Sequence, residues 1–329
     1  MSSFWSDKRV FITGITGFVG YWLAEQVLKN GATVVGLVRD CVPQSNFSRC
    51  GLGDRITTVA GELEDYSLLE RTLNEYDIDT VFHLGAQTQV GVGNRSPLAT
   101  FETNIRGSWN LLEACRVHTS LVKRVVVASS DKAYGDQPTL PYTEDAPLQG
   151  SHPYDVSKSC TDLLASTYFN TYGLPVCITR CGNIYGPGDT NLSRLIPGII
   201  TWVLKDEPIV IRSDGTLVRD YFYVRDTVDA YVTLAENMEA KSVLGEAFNF
   251  SSGLRINVLE MTKKILAVMN KPDHSVQVLN EARGEIKDQY LSSEKAAKLL
   301  GWHSAFGLDE ALAETVTYYK TLLADDLQS

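Results

Sequence analysis

Short, apolar, β-branched runs alternate with longer helical patterns through the first half of the chain: Arg9-Val10-Phe11-Ile12-Thr13, Thr33-Val34-Val35-Gly36-Leu37-Val38, Ile56-Thr57-Thr58-Val59, Thr80-Val81-Phe82-His83-Leu84 and Arg124-Val125-Val126-Val127-Ala128. These runs are apolar at nearly every position, so each strand must be covered on both faces. Strands separated by helices join in parallel, because the crossover helix carries the chain back to the end of the sheet at which the previous strand began. The expected fold class is therefore α/β, a doubly wound parallel sheet, with a further strand at Val176-Cys177-Ile178-Thr179-Arg180.

Gly14-Ile15-Thr16-Gly17-Phe18-Val19-Gly20 follows the first run directly and opens an amphipathic helix carrying Trp22, Leu23 and Val27. Glycines there allow a tight turn and a close approach of backbone to pyrophosphate, and the helix N-terminus favours the anion. Gly14, Thr16, Gly17, Phe18, Val19 and Gly20 are therefore expected to bind a dinucleotide. The second run ends in Arg39-Asp40. A carboxylate there accepts a bond from the ribose 2′-OH of NAD, whereas an arginine pairs with the 2′-phosphate of NADP. NAD is the favoured reading, with NADP left open by Arg39. Glu62 and Leu63 are expected near the adenine, and Leu84-Gly85-Ala86-Gln87 along the cofactor, with Asn104 also in the cofactor-binding set.

Beyond about Asn183 the texture changes to Gly- and Pro-containing connectors between smaller elements, among them Pro208-Ile209-Val210-Ile211 and Ala247-Phe248-Asn249-Phe250, with helical patterns near 257–270 and 308–323. Residues 1–182 are expected to form the dinucleotide domain, and 183–329 mainly a smaller mixed α/β substrate lobe, with the chain crossing between them. A ligand would then lie in the intervening cleft.

Tyr154 and Lys158, spaced Tyr-x-x-x-Lys, share one helix face. Oxidising an alcohol requires removal of its hydroxyl proton as hydride leaves, and a free tyrosine with pKa about 10 is a poor base at neutral pH. A nearby ammonium favours the phenolate, and Ser130, at the end of the fifth run, completes a hydroxyl relay.

Gly14-x-x-Gly17-x-x-Gly20, Ser129-Ser130, Tyr154-x-x-x-Lys158, the run Arg180-Cys181-Gly182-Asn183-Ile184-Tyr185-Gly186-Pro187-Gly188 and Val218-Arg219-Asp220-Tyr221-Phe222-Tyr223-Val224 together resemble the extended short-chain dehydrogenase/reductase family, the nucleotide-sugar epimerases and dehydratases. The resemblance implies a Rossmann-type dinucleotide domain, tightly held NAD(P), a C-terminal lobe that binds a nucleoside-diphosphate sugar, and a homodimer. It also implies that Asn183, Arg194, Arg219 and Arg283 contact the sugar nucleotide, with Gln87 and Ser130 also on the substrate.

In the 4,6-dehydratases of that family the two residues after the serine or threonine carry the elimination, usually as Asp-Glu. Here they are Asp131-Lys132, which resembles the CDP-glucose 4,6-dehydratase branch. The expected catalytic set is Ser130, Asp131, Lys132, Tyr154 and Lys158: Asp131 the acid at the C6 hydroxyl, Lys132 the base at C5. A 4-epimerase or 4-ketoreductase of the same fold would use only Tyr154 and Lys158 with Ser130. A non-catalytic dinucleotide sensor would need none of them.

The net charge of −10 argues against nucleic-acid or anionic-membrane partners, so an anionic substrate must be met by local cations. No apolar run approaches the roughly 20 residues of a bilayer span. The sequence starting at Met1 lacks a signal-peptide pattern, and a cytoplasmic location is expected. The six cysteines (Cys41, Cys50, Cys115, Cys160, Cys177, Cys181) include no Cys-x-x-Cys pair, and the five histidines have no ligand spacing, so no metal is expected.

Overall fold

The computed structural model describes residues 3–282 and 285–326. In chain order, the strands of the first half are β1 (Arg9–Thr13), β2 (Thr33–Val38), β3 (Thr57–Ala60), β4 (Thr80–His83), β5 (Arg124–Ala128) and β6 (Val176–Cys181). They are followed by β7 (Asn183–Tyr185), β8 (Ile209–Ile211), β9 (Val218–Arg219), β10 (Tyr221–Tyr223), β11 (Ala247–Phe250), β12 (Ile256–Asn257), β13 (Val276–Val278) and β14 (Asp288–Gln289).

A seven-stranded sheet runs β11-β6-β5-β4-β1-β2-β3, parallel throughout. Alternate side chains enter opposite layers. Val10 and Ile12 of β1 and Val126 of β5 join a core with the helices Phe18–Lys29 and Val224–Asn237. Phe11, Val125 and Val127 join another with Tyr66–Glu75, Gly107–Val117 and Pro153–Tyr172. All six of these strand residues are fully buried, and each such side chain contributes about 1.5–3 kcal/mol relative to an exposed one.

Ala247–Phe250, grouped by its texture with the later lobe, is instead β11, the edge strand of the main sheet beside β6. Its Phe248 and Phe250 are fully buried. They pack under the helix Val224–Asn237 in the first core, which decides their placement: a short aromatic strand is stable only where both faces are covered. The remaining strands form small pairings, β10-β7, β12-β9-β14 and β13-β8, around a third core built on the helices Leu195–Leu204, Val258–Val268 and Leu308–Asp326. Among the described residues no helix is long and apolar enough to cross a membrane.

The sheet order reverses between β4-β1 and β1-β2. The C-terminal ends of these strands are thus the point at which crossovers depart to opposite faces, where a crevice opens in folds of this type.

Candidate active site

A single cleft of about 1290 Å³ runs from the glycine loop at the end of β1 to the later lobe. Gly14, Thr16, Gly17, Phe18, Val19 and Gly20 form one wall. Gly14 has φ +72°, a conformation that favours glycine. A Cβ on Gly20 would sit 2.2 Å from the Gly14 carbonyl oxygen. Gly17 caps the helix Phe18–Lys29 without a side-chain bond, leaving N–H groups at the positive end of a helix dipole to meet an anion. Such a loop fits a dinucleotide pyrophosphate. Arg39 and Asp40 line the same end and form an ion pair, Nε to Oδ2 2.6 Å.

Not every residue expected along the cofactor lies in the cleft wall. Leu63, Leu84, Gly85 and Ala86 line it, but Glu62, Gln87 and Asn104 do not; Glu64, Thr88, Gln89 and Thr103 do. Asn104 is buried behind the wall as a clamp. It accepts from the Gln87 backbone N–H (2.7 Å) and donates to the Gln87 carbonyl and the Ser157 hydroxyl (2.9 Å each). Ser157 in turn donates to the Tyr154 carbonyl (2.7 Å). Asn104 therefore ties the strand-end loop to the helix that carries Tyr154 and Lys158, with both of its amide N–H groups engaged within the protein.

Ser130, Asp131, Lys132, Tyr154 and Lys158 converge on the cleft. The short turn Asp131–Tyr134 follows β5, and it is tied to the helix Pro153–Tyr172 by Ser159, whose hydroxyl donates to the Ala133 carbonyl (2.9 Å). Ser130 donates to Asp131 Oδ1 (3.0 Å), and its hydroxyl lies close enough to Tyr154 to favour the phenolate. Asp131 is buried, and its Oδ2 has no partner. Burial raises its carboxyl above the ordinary range, against the opposing pull of Lys132, Ser130 and Arg219. That is the direction of shift required of an acid.

Burial pushes Tyr154 up to about 12, and the cation that most opposes this is Arg194, followed by the Ser130 hydroxyl. The direct pull expected from Lys158 is not the leading one. Lys158 donates to the Ala128 carbonyl (2.8 Å), and burial lowers it to about 8, with Asp162 acting in the other direction.

Behind this wall His83 is buried between Thr13 Oγ1 (2.9 Å from Nδ1) and Ser108 Oγ (2.8 Å from Nε2). Burial first, and Lys158 second, lower it to about 3. Its folded value lies below its unfolded value of about 6.5, so protons bind the unfolded chain preferentially and stability falls as pH drops below about 6.5 toward 3. The slope from this group is about 1.4 kcal/mol per pH unit. Urea unfolding at neutral and mildly acidic pH is expected to show a smaller loss for His83→Gln than for the wild type; equal losses would exclude His83 as the source.

At the far end, Asn183, Arg194 and Arg219 line the cleft. Arg194 pairs with Asp189 (3.1 Å) and Arg219 with Glu285 (3.0 Å). Arg283 lies outside the described residues. Arg95 and Arg212 also face the cleft; single arginines without a motif gave no sequence signal. Gln289, which holds the Asp131-Lys132 turn from the opposite lobe, was likewise not anticipated. Among the described residues no cluster of His, Cys, Asp and Glu suits a metal ion.

The family model described as GDP-mannose 4,6 dehydratase matches residues 11–315. The chain is 31% identical to the CDP-glucose 4,6-dehydratase of Salmonella typhimurium, covering 97% of this chain and 92% of that one. Among solved structures it is similar to DesIV, a dTDP-glucose 4,6-dehydratase of Streptomyces venezuelae with NAD and TYD bound (TM-score 0.86, 28% identity, 95% and 97% covered). A UDP-glucose 4-epimerase of Thermotoga maritima, with UDP-glucose, is similar to the same degree (TM-score 0.85, 27% identity, 96% and 99% covered). With a cleft built on a glycine loop, a Ser130-Tyr154-Lys158 centre and a family match over most of its length, the chain belongs to the GDP-mannose 4,6 dehydratase family of enzymes, the extended short-chain dehydrogenase/reductases that act as nucleotide-sugar dehydratases and epimerases.

Proposed function

We propose that this enzyme is an NAD-dependent nucleotide-sugar 4,6-dehydratase, with CDP-glucose the leading substrate. The observation that carries the reading is Asp131: a buried carboxyl held above its ordinary range, bonded to the same Ser130 that contacts Tyr154, with Lys132 beside it on the cleft. A 4-epimerase needs Tyr154 but has no work for an acid and an amine at that place.

The chemistry supplied by NAD when bound is reversible acceptance of hydride, together with a positive charge near the phenol in its oxidised form. Tyr154 takes the C4 hydroxyl proton as C4 becomes a ketone. Lys132, as the neutral amine, takes the C5 proton, and the C5 electron pair expels the C6 hydroxyl, which leaves as water with the proton of Asp131. Ser130, in contact with both Tyr154 and Asp131, offers a path by which the C4 hydroxyl proton restores Asp131. Lys132 returns its proton to C5 as hydride reaches C6. The sum is loss of one water and a 4-keto-6-deoxy sugar nucleotide.

Asn183, Arg194 and Arg219 are proposed to hold the diphosphate, whose oxygens suit arginine's planar fork. Phosphate would replace Asp189 and Glu285 as their partners. NAD is preferred over NADP because Arg39 is already engaged by Asp40.

A homodimer is proposed through the outer face of the helices Gly107–Val117 and Pro153–Tyr172. Trp109 is 43% and Leu163 57% exposed there, and two copies of such a helix pair would bury them about a two-fold axis. Sedimentation is expected to give a dimer for the wild type and a monomer for Leu163→Glu. A monomeric wild type would contradict the proposed interface.

A further inference from the structure

Lys132 must meet C5 with its nitrogen, yet its long side chain starts from a short turn at the edge of the cleft. What holds it comes from 157 residues further along the chain: Gln289, on β14, accepts a hydrogen bond from Lys132 Nζ through its Oε1. The other end of the same amide, Nε2, donates to the Asp131 backbone carbonyl (3.1 Å). Gln289 is fully buried, so water does not compete for either bond, and a planar amide bonded at both ends has little freedom left. It is also paired in register with Arg219 across β14 and β9, so the element that grips Lys132 is continuous with one that lines the cleft.

We propose that Gln289 is a positioning residue for the elimination: it fixes the Lys132 amine against C5 and anchors the Asp131 turn without itself touching the sugar. The inference rests on the dehydratase reading above. An amide oxygen takes one N–H of the amine and leaves the nitrogen lone pair for the C5 proton. As C5–H breaks and N–H forms, the electron pair moves to expel the C6 hydroxyl with the proton of Asp131. A carboxylate at the same place would instead hold the amine in its protonated form.

The test uses the full-length wild type, Gln289→Leu and Gln289→Glu, with CDP-, UDP-, GDP- and dTDP-glucose as probes. C4 oxidation is followed by nicotinamide absorbance in a single turnover, C5 deprotonation by deuterium uptake from heavy water, and elimination by mass. Without sugar nucleotide, the pH dependence of Lys132 labelling by an amine-reactive reagent is read by peptide mass spectrometry.

Gln289→Leu is expected to leave KM and C4 oxidation within about threefold of wild type and to slow deuterium uptake and water loss by about a hundredfold, the scale of a misplaced reacting group. Gln289→Glu is expected to move both the labelling curve and the alkaline-going limb of water loss upward by about one pH unit, because a carboxylate favours the ammonium. Water loss at the wild-type rate in Gln289→Leu, or an equal fall in C4 oxidation and water loss, would overturn the proposal. Should Gln289→Leu not fold, an unmoved labelling curve and pH limb in Gln289→Glu overturns it alone. If the wild type oxidises a probe but never loses water from any, the dehydratase reading falls and takes this inference with it; wild-type water loss with unaffected variants removes Gln289 only.

Discussion

Replacing Tyr154 by phenylalanine is expected to lower kcat/KM by about a thousandfold, the scale of a lost general base. The ring and its packing remain; what disappears is the hydroxyl in contact with Ser130. Because burial pushes the phenol up to about 12, its proposed work as a base relies on the positive charges around it, Arg194 among them. The variant should therefore still bind the sugar nucleotide, as read by isothermal calorimetry, while single-turnover absorbance shows no C4 oxidation. Retained oxidation in a folded Tyr154→Phe protein would mean that another group takes the proton.

That substitution tests the chemistry common to dehydratases and epimerases, and Lys132→Ala separates them. It is expected to leave C4 oxidation near the wild-type rate and to slow water loss by about a hundredfold or more. The enzyme would then accumulate oxidised sugar at C4 with reduced cofactor, visible as a persistent nicotinamide absorbance. Water loss at the wild-type rate would remove Lys132 from the mechanism.

The parts legible in the sequence are those in which local pattern and tertiary demand coincide. β1, β2 and β5 have the expected bounds because their residues are apolar on both faces and the sheet uses both. The glycine loop was legible because Gly14 and Gly20 answer steric conditions that no other residue meets. Tyr154, Lys158, Ser130, Asp131 and Lys132 were found through spacing and resemblance, and they converge on one cleft.

What could not be read depends on which strangers in sequence become neighbours in space. Ala247–Phe250 looks like any short aromatic strand, and only its pairing with β6 assigns it to the main sheet. Asn104 stands behind the cleft wall, where its amide bonds Gln87 and Ser157, contacts that no spacing in the sequence announces. The leading electrostatic partner of Tyr154 is Arg194, brought in from the other lobe, while the adjacent-turn Lys158 bonds the Ala128 carbonyl. Gln289 carries no motif at all, because its role arises from a contact spanning 157 residues.

The central claim is elimination, and mass tests it most directly. Incubation of the purified enzyme with CDP-, UDP-, GDP- and dTDP-glucose, followed by mass spectrometry, is expected to show one of them, CDP-glucose first, converted to a product lighter by one water. A product of unchanged mass with altered C4 configuration would contradict the account and make the protein an epimerase.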